Sequence, residues 1–452
     1  MIRRALFIVA LSLCLDAGAV CAETPATFQP VKTEAGYSAE ITGIWRSEGY
    51  GYILAITPSR LSLYHEAGGL CLRDGRPEED PDEQFGLWYD MASRTDALPP
   101  ACAHQTPLTP EMRFQFATAT LTAWYPSFER RNVDWPALIA GVRKVYPHFD
   151  TDAQVWDGLS RIFAALDDPH SKLNGTVDGK PMELDPGEAR TLKAVGALTL
   201  DGKTGPAAVK VWLNAWRTGI LTDLLKGKGH QAGNSRLFWG RVGDIGYLNV
   251  LTMGGFDEKA APWDTEALNA TLDEAMQAFA GAKAVVVDVS NNRGGYDAIA
   301  RVIAQRFASE KTLSYTKQPA GSPQTAPQPF YLSPSDRPRY LGPVYLVTSD
   351  ITVSSGETFT AYMKALPQVV QVGTATRGAL SDRIEKPLGD GWRFTLSAEI
   401  YKTADGYWAE GTGFAPDIAV DVYGPDFARH AQSLQALFDR IDRVDPAPVL
   451  AK

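Results

Sequence analysis

The spacing of apolar positions changes several times along the 452 residues, and each change marks a candidate element. Residues 40–105 alternate apolar and polar positions, as in "AEITGIWRSEGYGYILAITPSRLSLYH", with turn signals between the runs. That period predicts short strands, and "GRPEEDPDEQ" predicts an acidic loop. From about 109 the apolar residues stand three and four apart in "PEMRFQFATATLTAWYPSFERR", "DWPALIAGVRKVY" and "TDAQVWDGLSRIFAAL", which predicts helices. Thr151 or Asp152 is the expected cap of the last, which ends at "DDPHSKL". Residues 176–235 are mixed: "LKAVGALTLDGKTGPAAVKVWL" predicts short strands and "AWRTGILTDLLKG" a helix. Beyond 236, strands and helices alternate. "RVGDIGYLNVL", "AKAVVVDVS", "PVYLVTS" and "QVVQVG" read as strands, two of them near-continuously apolar as in a buried parallel sheet. "DTEALNATLDEAMQAFAG", "DAIARVIAQRFAS" and "ETFTAYMKAL" read as helices, and "PDFARHAQSLQALFDRI" closes the chain. The alternation predicts an α/β core.

These changes divide the chain into a signal peptide (1–22), an N-terminal β-rich domain (23–108) and a helical domain (109–175). A linker or cap region (176–235), an α/β core (236–425) and a C-terminal helix and tail (426–452) follow. The signal reading rests on Arg3 and Arg4, the apolar run "ALFIVALSLCL" and small residues before a cut after Ala22. The run is too short to span a bilayer, and no later stretch is apolar enough to do so, so a periplasmic or secreted protein is expected. Export changes the reading of the cysteines. Cys14 and Cys21 leave with the signal, and the pair Cys71 and Cys102 suggests one disulfide, with two buried thiols as the alternative. The net charge of −9 leaves no basic surplus for nucleic acid.

In an α/β sheet, chemistry gathers at the carboxyl ends of the strands. "NNRGG" places Asn292, Gly294 and Gly295 there, and "ITVSSGETF" places Ser354 there. Ser354 and Glu357 have the spacing of a capping box; the same turn would also suit a nucleophilic serine whose developing oxyanion meets free backbone N–H groups. A serine nucleophile needs a base, and of six histidines His170 stands in a tight turn after a helix. By itself it reads first as a solvent-facing turn residue.

Taken in order, "LSRIFAALDDPHSKL", "AVVVDVSNNRGG", "TSDITVSSGETFTAYMKALPQVVQVGTATRG" and "EGTGFAPDIAVDV" resemble four motifs of one family. It comprises the C-terminal processing peptidases, tricorn core peptidases and interphotoreceptor retinoid-binding proteins. The resemblance covers about 110–175 and 236–422. It implies a crotonase-like (ClpP/crotonase-type) α/β core and a serine peptidase acting on peptides or proteins without metal or cofactor. It implies Ser354 as nucleophile, with Ser355 as fallback, His170 as base and Glu410 as the group that orients it. Gly294 or Gly295 and Ser355 would supply the oxyanion N–H groups. Three departures stand out. Ala379 occupies the place of the Ser-Lys branch's lysine, Pro169 precedes the histidine, and Arg293 stands where glycine is common. No PDZ pattern is evident in 176–235. A non-catalytic small-molecule or lipid-binding protein on the same fold is the alternative, and an acyl-CoA enzyme a remoter one. Oligomeric state is not legible.

Overall fold

The computed structural model describes residues 32–33, 36–47, 49–75, 92–104, 107–423 and 429–443. The expected signal segment with its cut after Ala22, most of the acidic loop and the C-terminal tail lie outside them. A seven-stranded sheet forms the centre. Its order is His230–Ala232, Leu237–Val242, Ile245–Val250, Ala284–Asp288, Val344–Thr348, Val369–Gly373 and Ile418–Ala419. The first three are antiparallel neighbours and the rest pair in parallel. Ile245–Val250, Ala284–Asp288, Val344–Thr348 and Val369–Gly373 are buried at every position, as sheets covered on both faces require. The helices Glu266–Ala278, Asp297–Ala304 and Ser355–Lys364 bury Leu272, Ile303 and Phe359 on one face. Gly205–Gly219 and His430–Arg443 bury Trp212, Trp216, Leu437 and Phe438 on the other. The protein is therefore a mixed α/β structure.

The expectation of short strands in "LKAVGALTLDGKTGPAAVKVWL" is corrected. Arg190–Ala197 and Gly205–Gly219 are helices, the second followed by a π-helical turn at Ile220–Leu224. The alternation in "VKVWL" misleads because it is short. Val209, Trp212 and Trp216 lie on one helical face, and their burial outweighs the β preference of valine.

Ahead of the core, a five-stranded antiparallel sheet spans Gly43–Ser47 to Ala92–Thr95. The Sγ atoms of Cys71 and Cys102 stand 1.98 Å apart, joining the strand Leu70–Arg73 to the short helix Pro100–Ala103. The sheet meets the core through Tyr50: its hydroxyl donates to Glu399 Oε1 at 2.5 Å, and Lys386 Nζ donates to its carbonyl. The helices Pro110–Trp124, Trp135–Val145 and Asp152–Leu166 follow, capped by Thr109, Asp134 and Thr151. Thr151 and Gln154 form a complete capping box.

Candidate active site

Ser354 occupies the turn between the strand Val344–Thr348 and the helix Ser355–Lys364, at φ 59° and ψ −128°. A positive φ at a residue with a Cβ costs on the order of 1–3 kcal/mol and persists only where surrounding bonds impose it. Here they do. Ser354 N donates to Ala379 O at 2.9 Å, Gly356 N to Val353 O at 3.0 Å and Glu357 N to Ser354 O at 2.7 Å. The capping box allowed by the spacing does not form: Ser354 stands at the N-cap without a side-chain cap bond. Its left-handed backbone lacks the extended geometry from which a cap side chain reaches the first-turn amides. Glu357 turns away into the interior, where it accepts from Thr376 Oγ1 at 2.6 Å, Gly378 N at 2.8 Å and Ala379 N at 2.6 Å. Burial raises its pKa to about 7 against those three hydrogen bonds.

His170 follows the helix Asp152–Leu166 through a left-handed Asp167. Asp168 fastens the turn: its Oδ1 accepts from His170 N at 2.9 Å and its Oδ2 from Ser171 Oγ at 2.8 Å. Thr395, from the hairpin 383–397, donates to His170 O at 2.6 Å and accepts from Lys172 N at 3.1 Å. The backbone is thus clamped on both sides, while among the described residues the buried Nδ1 of the imidazole has no hydrogen-bond partner. Desolvation lowers its pKa, opposed by the charge of Asp168.

Glu410 does not hydrogen-bond to His170. It is buried, with Oε1 on Arg131 at 2.8 Å and Oε2 on the amides of Leu380 and Ser381 at 2.9 and 3.3 Å. Burial raises its pKa, and the Arg131 charge opposes the rise. Arg131 is the residue through which Glu410 reaches the histidine turn. Its guanidinium also donates to Asp167 O at 2.9 Å and Gly378 O at 2.7 Å, and lies 3.4 Å from Asp168 Oδ1. One cation therefore joins the histidine turn, the turn that carries Ala379 and Glu410.

The two glycines proposed for the oxyanion differ. Gly294 N already donates to Asn292 Oδ1 at 2.9 Å. The amides of Gly295 and Ser355 make no hydrogen bond among the described residues. Gly294 has a steric role instead: a Cβ there would stand 2.7 Å from Ser354 Cβ and 3.2 Å from Ser354 Oγ. Ser355 is buried, with its own Oγ unpartnered.

Ser354 and His170 both line one cavity of about 1820 Å³, as do Gly295, Asp297, Lys317 and Tyr50. The N-terminal sheet thus supplies part of the wall. Sequence reasoning missed Arg131, Asp168 and Thr395. Asp168, two residues ahead of His170, has the spacing of an Asx turn and was recoverable. Arg131 and Thr395 act across long sequence separations and carry no local signal.

An α/β core whose parallel strands carry a glycine turn and a strained serine turn at their carboxyl ends defines the class. Residues 244–420 match the family model "Peptidase family S41". The chain is similar to the carboxy-terminal processing protease CtpA of Bacillus subtilis (strain 168), 24% identical over 187 residues, which are 41% of this chain and 36% of that protein. The match thus spans about a third of that relative's length. Among solved structures, a protein of Parabacteroides merdae ATCC 43184 considered a peptidase is 24% identical, with a TM-score of 0.59 over 74% of this chain and 97% of its own. Mature CPAF, solved in complex with lactacystin, is 12% identical, with a TM-score of 0.51 over 74% of this chain and 97% of its own. These likenesses establish a shared fold.

Proposed function

We propose that the protein is an exported serine peptidase with a crotonase-like core, and that it hydrolyses peptide bonds from Ser354. The observation that carries the reading is the hydroxyl of Ser354, which makes no cap bond and no other hydrogen bond among the described residues, held in a left-handed turn at the wall of the cavity that His170 also lines. Ser354 Oγ attacks the scissile carbonyl as the His170 imidazole takes its proton, and the imidazolium then protonates the leaving amine. The unengaged amides of Gly295 and Ser355 stabilise the oxyanion. Glu410 serves this site through Arg131 rather than by touching the imidazole. We also assign Cys71 and Cys102 to a disulfide formed on export, and read 23–108, 109–175, 176–235 and 236–425 as successive regions of the chain that share their packed cores. A fluorophosphonate probe tests the reading. It labels Ser354 in the folded protein, and Ser354→Ala and His170→Ala each abolish labelling. Labelling that survives Ser354→Ala and vanishes in Ser355→Ala moves the nucleophile by one residue. A folded wild type that is never labelled favours a binding protein on this fold.

A further inference from the structure

The Gly-rich turn carries Arg293 one residue before Gly294, hence beside the close approach of that glycine to Ser354. Its guanidinium lines the same cavity as Ser354 and His170, and makes no hydrogen bond or ion pair among the described residues. The other cavity-lining cations differ. Lys172 pairs with Asp185, Lys317 with Asp382 and Glu399, and Arg377 with Asp167 and Gly187 O. Only Arg383, exposed on the hairpin beside His170, shares the unpaired state among the described residues.

Two further arginines gather behind the turn. Arg236 Nη1 donates to Gly254 O, and that strand end is bonded to the glycine turn through Met253 N to Gly294 O at 2.8 Å and Tyr296 N to Met253 O at 2.7 Å. Arg217, on the helix Gly205–Gly219, has a buried Nε without a partner and makes no ion pair among the described residues. Desolvation holds the Arg293 proton affinity down. Tyr423 and Glu188 raise it, and the like charge of Arg217 lowers it again. Glu188 acts on Arg293 through its charge, yet among the described residues it forms no ion pair with it. Like charges crowded without a counter-ion are unfavourable in the empty site and favourable once an anion enters.

We propose that Arg293, supported by Arg217 and Arg236, forms a carboxylate-binding subsite at the edge of the Ser354 turn that selects peptides carrying a carboxylate near the bond to be cut. The assignment rests on the peptidase reading for its substrate class. A planar guanidinium with free N–H groups matches a carboxylate in two parallel hydrogen bonds. The carboxylate comes from an acidic side chain or from a free chain terminus.

Binding separates this proposal from catalysis. The probes are three pools of acetylated hexapeptides, randomised except at the fourth position. The first has glutamate there and an amidated terminus, the second glutamine and an amidated terminus, the third glutamine and a free terminus. Calorimetry on the full mature chain bearing Ser354→Ala measures each. At least one carboxylate pool is expected to bind about tenfold tighter than the glutamine amide pool. Preference for the first pool identifies the side chain as the source, and for the third the terminus. Arg293→Gln brings all pools to a common affinity, and Arg293→Lys keeps a reduced preference. Equal binding of the pools to the Ser354→Ala chain, or a preference that survives Arg293→Gln, overturns the subsite. Loss of fluorophosphonate labelling in the wild type, by contrast, overturns only the peptidase reading.

Discussion

Arg131 holds Glu410 at 2.8 Å with both side chains almost wholly buried, and the same guanidinium carries the backbone of the histidine turn and of the turn after Thr376. Desolvation works against the Arg131 charge, and Asp168, Tyr125 and Glu410 outweigh it. Removing the cation strands two buried carboxylates, Glu410 and Asp168. Arg131→Met should therefore cost about 3–5 kcal/mol in urea unfolding. It should also abolish Ser354 labelling in whatever fraction still folds. Adding Glu410→Gln removes one stranded charge and should restore part of the stability but none of the labelling. Full additivity of the two substitutions would show that the residues do not act as a pair.

The pH profile of Ser354 labelling reports His170. In the proposed mechanism the base is the neutral imidazole, and desolvation lowers its pKa, so labelling should rise with pH through a midpoint below 6.5. Neighbouring charges set the sign of further shifts. Asp168 raises the His170 pKa and Arg383 lowers it. Asp168→Asn should move the midpoint to lower pH and Arg383→Gln to higher pH. A midpoint that ignores both would exclude His170 as the titrating base.

The α/β alternation was legible because each parallel strand is a continuous apolar run, as in "AVVVD" and "VYLVT", and each helix carries its own period. The Ser354 turn was legible as a serine ahead of a helix, but its consequence was not. Nothing local says that Glu357 abandons the cap for Gly378 N and Ala379 N, more than 20 residues on. The orientation role given to Glu410 came from the family resemblance and not from any local spacing. Its actual partner, Arg131, lies 279 positions away. Pairings across such separations are set by packing, which the spacing of one segment cannot encode.

Glu357 makes stability depend on pH in an unusual direction. Its folded pKa of about 7 lies above the ordinary value of 4.5, because burial disfavours the carboxylate. The folded state thus binds the proton more tightly than the unfolded chain. The corresponding stability is complete below about 4.5 and is lost as pH rises through about 7. Glu399, also held near 7 by burial, acts in the same sense. In urea unfolding between pH 4.5 and 8, the wild type should lose stability relative to Glu357→Gln up to about pH 7 and run parallel above it. A gap that stays constant from pH 4.5 to 8 would mean that Glu357 is ionised throughout.

The pair Cys71 and Cys102 gives a prediction separable from the chemistry. The bond closes a loop of 31 residues within the N-terminal region, between the strand Leu70–Arg73 and the helix Pro100–Ala103. Restricting the unfolded chain over that span corresponds to about 3–4 kcal/mol in the chain-entropy account. Both residues are buried, and neither lines the cavity that Ser354 lines. Cys71→Ser with Cys102→Ser should therefore lower unfolding stability by about that amount. The rate of Ser354 labelling should be unchanged at temperatures where the variant stays folded. Alkylation of the unreduced mature protein should find neither cysteine free by mass spectrometry, and two alkylated residues would remove the disulfide. A labelling rate that falls with the disulfide while the core stays folded would show that the N-terminal sheet, through Tyr50 and its bond to Glu399, sets the geometry at the serine.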